Sequence, residues 1–393
     1  MNNTNKSSAY SVCPVLEMKK GTRLRLVERY TYKDILKAYL DCRRRKRMTR
    51  NAASFEVNFE KFLLILLDQI NNRTYEIGST CVFPVTTPTP REICAALFRD
   101  RIIHHLIYAD IGPYFEAQAI EDSYACIAGR GTLAASKRLE TFCRRATQGW
   151  TRRAWCLQVD IASFFGSINR RILWGLVRAE IGDDSLTAWL ARKVFTHNPM
   201  SNAFLLPHAD FSAIPPHKRL KNAKPDCGLP IGNLTSQFGS GIYLDGLDKY
   251  VKHVLGVRWY VRYVDDLVLL SHDREELYAW RDAIDNWLQT HRDLHLHPRK
   301  TRVAPVDAGI DFVGRIILPH RTYPRSRNVQ SAKRAAKRLA RNPLNAESLA
   351  TLNSHLGHMR HADTYNLRTA LCRTATATPL LAADADNTKI IKL

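Results

Sequence analysis

The chain has 393 residues, 45% of them hydrophobic, enough to bury a substantial core in two or three subdomains and too many for wholesale disorder. Its formal net charge of +22 and pI near 9.8 make physical sense when a polyanion neutralises the surplus, nucleic acid first and an anionic membrane second. The membrane reading weakens at once: no uninterrupted apolar run is longer than that of Phe62 to Leu67, far short of the roughly 20 residues a span needs.

In chain order, the first 20 residues are polar, read as loosely ordered, and lack the apolar core of a signal peptide. Helical character follows over 32–67, with the run Arg43-Arg44-Arg45-Lys46-Arg47 open to two readings, a solvated face or a phosphate contact. A Pro-rich turn over 83–90 leads into a helical pattern that continues to Tyr108. From Ala154 the period changes to two, and Trp155, Leu157, Val159 and Ile161 read as one face of a strand. Helix is predicted over 170–195, then a long connection over 198–226 bearing Pro and His. Next come a helix over 234–255, a hairpin over 257–271 and a helix over 274–291. Short apolar stretches at 301–306 and 311–318 precede a basic helical section from about Val329. Strand, helix, hairpin, helix and strand in the middle predict an α+β fold, a small antiparallel sheet backed by helices. Nine cysteines, scattered from Cys13 to Cys372 without CxxC pairs, fit reduced thiols of a cytosolic compartment better than a disulfide framework or a zinc site.

The hairpin carries the chemistry. Trp259, Val261 and Tyr263 alternate with Arg258, Tyr260 and Arg262, and Asp265-Asp266 follow at the tip before the apolar run Leu267 to Leu270. Paired acids at a tip also suit a solvated turn. Asp160 is the more telling residue, because an acid between Val159 and Ile161 on a buried strand is costly unless a cation or partner compensates it. With that strand beside the hairpin, Asp160 and Asp265 converge at one edge of the sheet. Two or three carboxylates there can hold two Mg2+ ions about 4 Å apart for in-line phosphoryl transfer.

At this point the sequence resembles a known family. Tyr263-Val264-Asp265-Asp266 resembles the YxDD signature of reverse transcriptases, and Gln158-Val159-Asp160-Ile161-Ala162-Ser163-Phe164-Phe165 resembles their first catalytic motif. Gly228-Leu229-Pro230-Ile231-Gly232-Asn233-Leu234-Thr235-Ser236-Gln237 is similar to the motif that opens their palm helix. Arg91-Glu92-Ile93 through Arg99-Asp100-Arg101 resembles a fingers motif, and Asp122-Ser123-Tyr124-Ala125-Cys126 with Gly129-Arg130-Gly131-Thr132 the one after it. Pro298-Arg299-Lys300-Thr301 and Phe312-Val313-Gly314 occupy the places of later palm motifs, the second being the primer grip. Seven collinear motifs extend from about residue 90 to 320. IGNLTSQ, DSYAC, REICAALFRDR and the stretch Leu352 to Ala362 resemble the enzymes of bacterial and phage diversity-generating retroelements in particular.

The resemblance implies a right-hand polymerase: a flexible segment over 1–30, basic helices and fingers over 31–153, a palm over 154–320 interrupted by a connection at about 170–226, and a helical thumb over 321–393. It implies an RNA-directed DNA polymerase that uses two Mg2+ ions, with Mn2+ as a substitute. Asp160 and Asp265 would bridge the ions, Asp266 would assist, and Ile161 would complete the metal set. Phe165 matches the ring that excludes a 2′-hydroxyl, while Phe164 reads as core. Arg91 and Arg101 would grip the triphosphate, although Arg99 is close enough in sequence to be confused with either. Lys300 would neutralise or protonate pyrophosphate, an exposed lysine without that role being the competing reading. Gly232 would let the backbone approach the templating pair, Gln237 would contact template or nucleotide, and Phe312, Val313 and Gly314 would hold the primer. Ile231 stands where retroviral enzymes carry Gln, and in the retroelement group that apolar choice accompanies error-prone copying of template adenines.

Lys333, Lys337 and Arg341 at i, i+4 and i+8, with Ala332, Ala336, Leu339 and Ala340 supplying an apolar stripe, fit a thumb helix that tracks duplex phosphates; a surface that docks a protein is the alternative. His295 and His297 read as ordinary residues. The implied partners are template RNA, its RNA/cDNA duplex, dNTPs and a small helical, oligomeric accessory variability protein, with no membrane, in the cytoplasm of a bacterial or phage-infected cell. A defence-associated or retron-like reverse transcriptase is the other enzyme reading, and a catalytically silent RNA-binding scaffold the reading from another class.

Overall fold

The computed structural model describes residues 24–44, 49–87 and 89–393. The expectations for the first 20 residues and for Arg45, Lys46 and Arg47 lie outside the described residues. Helix α1 (Tyr32–Arg43) opens with a capping box in which the Thr31 side chain accepts from Asp34 N and the Asp34 carboxylate accepts from Thr31 N. Helices α2 (Arg50–Glu56) and α3 (Phe59–Asn71) follow, so the helical stretch expected over 32–67 is three helices.

Strands β1 (Thr80–Val85) and β2 (Arg91–Ala96) then pair antiparallel across the Pro-rich turn. Residues 91–96 are therefore strand where the sequence predicted helix. Cys94, Ala95 and Ala96 are buried in the hairpin with β1, and that tertiary burial overrides the helical pattern. Helix begins only at α4 (Phe98–Gln118). Helix α5 (Thr132–Ala146), which the sequence reading passed over, buries Ala135, Leu139, Phe142, Cys143 and Ala146 on one face.

Next come β3 (Trp155–Asp160), the single turn α6 (Phe164–Ser167), and two helices, α7 (Arg170–Ile181) and α8 (Leu186–Thr196), in place of the one expected. Gly182 at φ +70° ends α7, and the Ser185 hydroxyl accepts from Ala188 N at 3.0 Å to cap α8. The long connection contributes β4 (Ala203–Leu205), parallel to β1. Helix α9 (Leu234–Lys249) runs into one π turn, and β5 (Trp259–Tyr263), β6 (Asp266–Ser271) and α10 (Arg274–Arg292) lie close to their predicted bounds. Strand β7 (Arg302–Pro305) precedes a three-stranded meander, β8 (Ile310–Phe312), β9 (Arg315–Leu318) and β10 (Arg321–Pro324). The chain closes with α11 (Ser326–Arg341), α12 (Ala346–Met359), α13 (Tyr365–Ala375) and the hairpin β11 (Leu381–Ala383) and β12 (Ile390–Lys392).

The central sheet is antiparallel with order β5-β6-β3-β7, an α+β arrangement as the sequence predicted. Both of its faces are covered. Leu157, Val159, Tyr260, Leu267 and Leu269 join the main core with α9 and α10, while Cys156, Val261, Val268 and Leu270 pack with Leu139 and Phe142 of α5 and with Phe312 and Ile317. Burial on both sides explains why β6 reads as a continuous apolar run instead of an alternation. The last three helices enclose a separate small core built on Ala332, Ala336, Leu339, Leu352, Leu356 and Leu371. The eight described cysteines are all free, and no helix among the described residues is long and apolar enough to cross a membrane.

Candidate active site

Asp160 ends β3 and is the register partner of Asp266, which begins β6. Tyr263 pairs with the same Asp266, so Val264 and Asp265 form a two-residue turn between β5 and β6. The three aspartates predicted from sequence thus meet at one end of the two central strands. The turn is strained: Val264 takes φ +57°, a left-handed conformation that a β-branched residue adopts at a cost of about 1–3 kcal/mol. Burial, followed by the proximity of Asp266 and Asp160, raises the Asp265 carboxyl to about 7. Asp266 is raised as well, by burial and then by Asp160. Lys300, exposed on the loop before β7, donates to Asp160 Oδ2 at 2.9 Å and partly offsets this crowding of acids.

The backbone beyond β3 is pinned by the segment that carries the two histidines. His297 N donates to Asp160 O at 2.7 Å, Ala162 N donates to His295 O at 2.9 Å, and Ile161, itself buried, forms a β-bridge with Leu296. These histidines act through their main chain, which sequence reasoning had no signal for. It also missed Gln158, whose Nε2 donates to Asp311 O at 2.9 Å and so ties β3 to the meander. Arg325 pairs with Asp311 on that same side. Phe312 is buried, and Val313 and Gly314 form the two-residue β8–β9 turn with φ of +45° and +88°, the sign that tight hairpins require at both positions.

On the other side, two rows of hydrogen bonds bring the 228–233 segment between β2 and the stretch after Asp160. Leu229 N donates to Phe165 O at 2.7 Å and Gly228 N to Ile168 O at 2.8 Å, while the buried Arg170 guanidinium donates to Cys227 O and Gly228 O. Facing β2, Cys94 N donates to Ile231 O at 3.3 Å and Ala96 N to Asn233 Oδ1 at 3.3 Å. Gly232 sits at φ +111°, and a Cβ there would meet Ile93 Cγ2 at 3.3 Å, so the position requires glycine. Phe164 is buried and Phe165 is half-buried, packed at the margin of the main core. Gln237 is exposed on the first turn of α9, Arg91 is exposed at the start of β2, and Arg101 Nε donates to Ala96 O at 2.9 Å. Arg99 donates to Glu76 O at 2.7 Å, pairs with Asp100 and covers the Tyr75 ring, which leaves Arg101 as the candidate on α4.

Among the described residues no group of three or more His, Cys, Asp or Glu side chains is arranged to hold a metal ion. The aspartates are neighbours in one concentration of negative charge, and every donor they offer is a hard oxygen.

Residues 86–317, well over half of the chain, match the family model described as reverse transcriptase (RNA-dependent DNA polymerase). The chain belongs to that family. It is an RNA-directed DNA polymerase, and its substrates are an RNA template and deoxynucleoside triphosphates. Among curated proteins, the reverse transcriptase is 24% identical over 294 residues to Protein YkfC of Escherichia coli strain K12, covering 66% of this chain and 72% of that one. Among solved structures, it is similar to apo telomerase from Candida tropicalis, at 13% identity and a TM-score of 0.48 over 77% of this chain. The match spans 57% of the telomerase chain.

Proposed function

We propose that the enzyme extends DNA on its RNA template by two-metal nucleotidyl transfer at Asp160, Asp265 and Asp266, in a right-hand arrangement, and that it serves a diversity-generating retroelement. The observation that carries the mechanism is the register that sets Asp160 opposite Asp266 with Asp265 in the adjoining turn. Burial, and then the neighbouring acids, make Asp265 and Asp266 hold protons above their ordinary range, so a divalent cation gains by taking the protons' place. The set suits Mg2+, with the main-chain oxygen of Ile161 as a further donor because that side chain is apolar and buried. Bound there, two ions would stabilise the attacking and leaving oxygens.

The protein supplies the rest. Arg91 and Arg101 orient the triphosphate, the half-buried Phe165 ring lies under the sugar, and Gly232 gives the templating pair room. The primer 3′-hydroxyl passes its proton to solvent water as its oxygen bonds to the α-phosphorus, the bond to pyrophosphate breaks, and Lys300 supplies charge or a proton to the departing oxygen. Phe312, Val313 and Gly314 hold the primer end and Gln237 meets template or nucleotide. Residues 31–153 act as fingers, 154–320 as palm and 321–393 as thumb.

Support for the retroelement is the ordered set of motif phrases and the apolar Ile231, held by its carbonyl to Cys94 at the edge of β2. Its template would be the retroelement's own RNA and its partner the small helical accessory protein, in the cytoplasm. The test is to sequence cDNA made on a defined RNA template. Errors should concentrate opposite template adenines, and Ile231→Gln should reduce them several-fold. An error spectrum indifferent to the template base would reject the retroelement reading and favour a defence-associated enzyme.

A further inference from the structure

Arg262 lies on the strand that leads into the Asp265 turn and is 2% exposed. Its Nε donates to Asp248 Oδ1 at 2.7 Å and its Nη2 to Asp248 Oδ2 at 2.5 Å, a two-pronged pair with an acid of α9 that is itself fully buried. The Tyr260 hydroxyl donates to the same Oδ1 at 2.6 Å. A buried ion pair of this kind rarely adds stability beyond what apolar residues of equal volume would give, so its presence calls for another account.

That account lies in the donors that do not serve Asp248 alone. Nη1 donates to Val264 O at 2.9 Å, inside the strained turn, and Nη2 also reaches Ser123 Oγ at 3.0 Å. Ser123 belongs to a short strap that runs parallel to β5: Arg262 N donates to Asp122 O at 2.9 Å and Tyr124 N donates to Arg262 O at 3.0 Å. The strap is itself anchored, because the Asp122 carboxylate accepts from Arg138 of α5 at 2.7 Å and from Lys252 at 3.1 Å. One guanidinium therefore joins helix α9, the strap between α4 and α5, and the carbonyl next to Asp265.

We infer that Arg262 is a positioning residue that fixes the Val264–Asp265 turn opposite Asp160, and that the 122–124 strap is the part of the fold that holds Arg262 in place. The inference rests on the role given to Asp265 above. Lysine keeps a charge for Asp248, but a single ammonium cannot serve the carboxylate, Val264 O and Ser123 together.

In primer extension, Arg262→Lys should therefore lower kcat by roughly ten- to a hundredfold while KM for dNTP and template stays within about threefold. Amide hydrogen exchange over residues 263–267 should accelerate by at least about tenfold, a readout independent of turnover. Ser123→Ala, which removes only the strap's hydroxyl, should show the same pattern at roughly three- to tenfold, and it decides the matter if Arg262→Lys does not fold. Unchanged kcat and unchanged exchange overturn the inference, as does a loss of kcat with the turn's exchange unaltered. Asp265→Asn is the control. If it is inactive while the Arg262 and Ser123 variants behave as wild type, only this inference falls; if it is active, the role of Asp265 falls first.

Discussion

Asp265 ionises against its surroundings. Its carboxyl sits near 7 in the folded chain and returns to the ordinary carboxylate range on unfolding, so the metal-free fold bears a penalty that is absent at low pH. The penalty grows as pH rises from about 4 towards 7 and is complete above that, at roughly 4 kcal/mol. Asp265→Asn should accordingly melt a few degrees above wild type at pH 8 without divalent ions, and the difference should fade towards pH 4. Added Mg2+ should raise the wild-type Tm at pH 8 and leave the variant almost unmoved; calorimetry at two pH values reads both. Phe165 offers a second expectation at this scale. If its half-buried ring closes the floor of the sugar site, Phe165→Ala should raise ribonucleotide incorporation at least about tenfold in competition assays, whereas a purely structural ring would leave the sugar ratio unchanged. Single residues were legible where the cost was local: Asp160 stood out because its own strand is apolar. Arg262 was not, because its partners are 14 residues away on α9 and 139 residues away in the strap.

Helix α11 has one buried and one basic face, with Ala340 of the predicted stripe only partly buried. Ala332, Ala335, Ala336 and Leu339 are buried, and Lys333, Arg334, Lys337, Arg338 and Arg341 are exposed. A basic stripe that tracks duplex phosphates releases counterions, at roughly 0.9 in log–log salt slope per phosphate for B-form DNA. Replacing Lys333, Lys337 and Arg341 by Ala should reduce the slope for template-primer binding by about two to three, equally for all sequences. An unchanged slope would assign this face to a protein partner. Elements, like residues, were readable where their determinants are local. The bounds of α10 follow from its Asp273 cap and its apolar period. The break between α7 and α8 is written in Gly182 and Ser185, which a longer apolar period concealed. Strand β2 was misread, although its hairpin with β1 is local, because its apolar residues run on from Ile93 into α4 without alternating, and α5 was passed over because Lys137, Arg138, Arg144 and Arg145 dilute its apolar stripe.

Across the whole molecule, the order of the motifs anticipated a sheet that gathers its acids at one end, and β5-β6-β3-β7 does so. What the sequence left hidden is the lacing between segments: β2 to 228–233, the strap to β5, and Gln158 to the meander. Such contacts are chosen by packing and leave no periodic trace. The +22 charge belongs to this scale too, since a surplus that large favours association with a polyanion such as template RNA. The direct test is single-nucleotide addition to a DNA primer on an RNA template in Mg2+, comparing wild type with Asp265→Asn. The account predicts a loss of roughly a thousandfold or more in the rate of addition with template affinity within about threefold. An Asp265→Asn enzyme that adds nucleotides within about tenfold of the wild-type rate would contradict it.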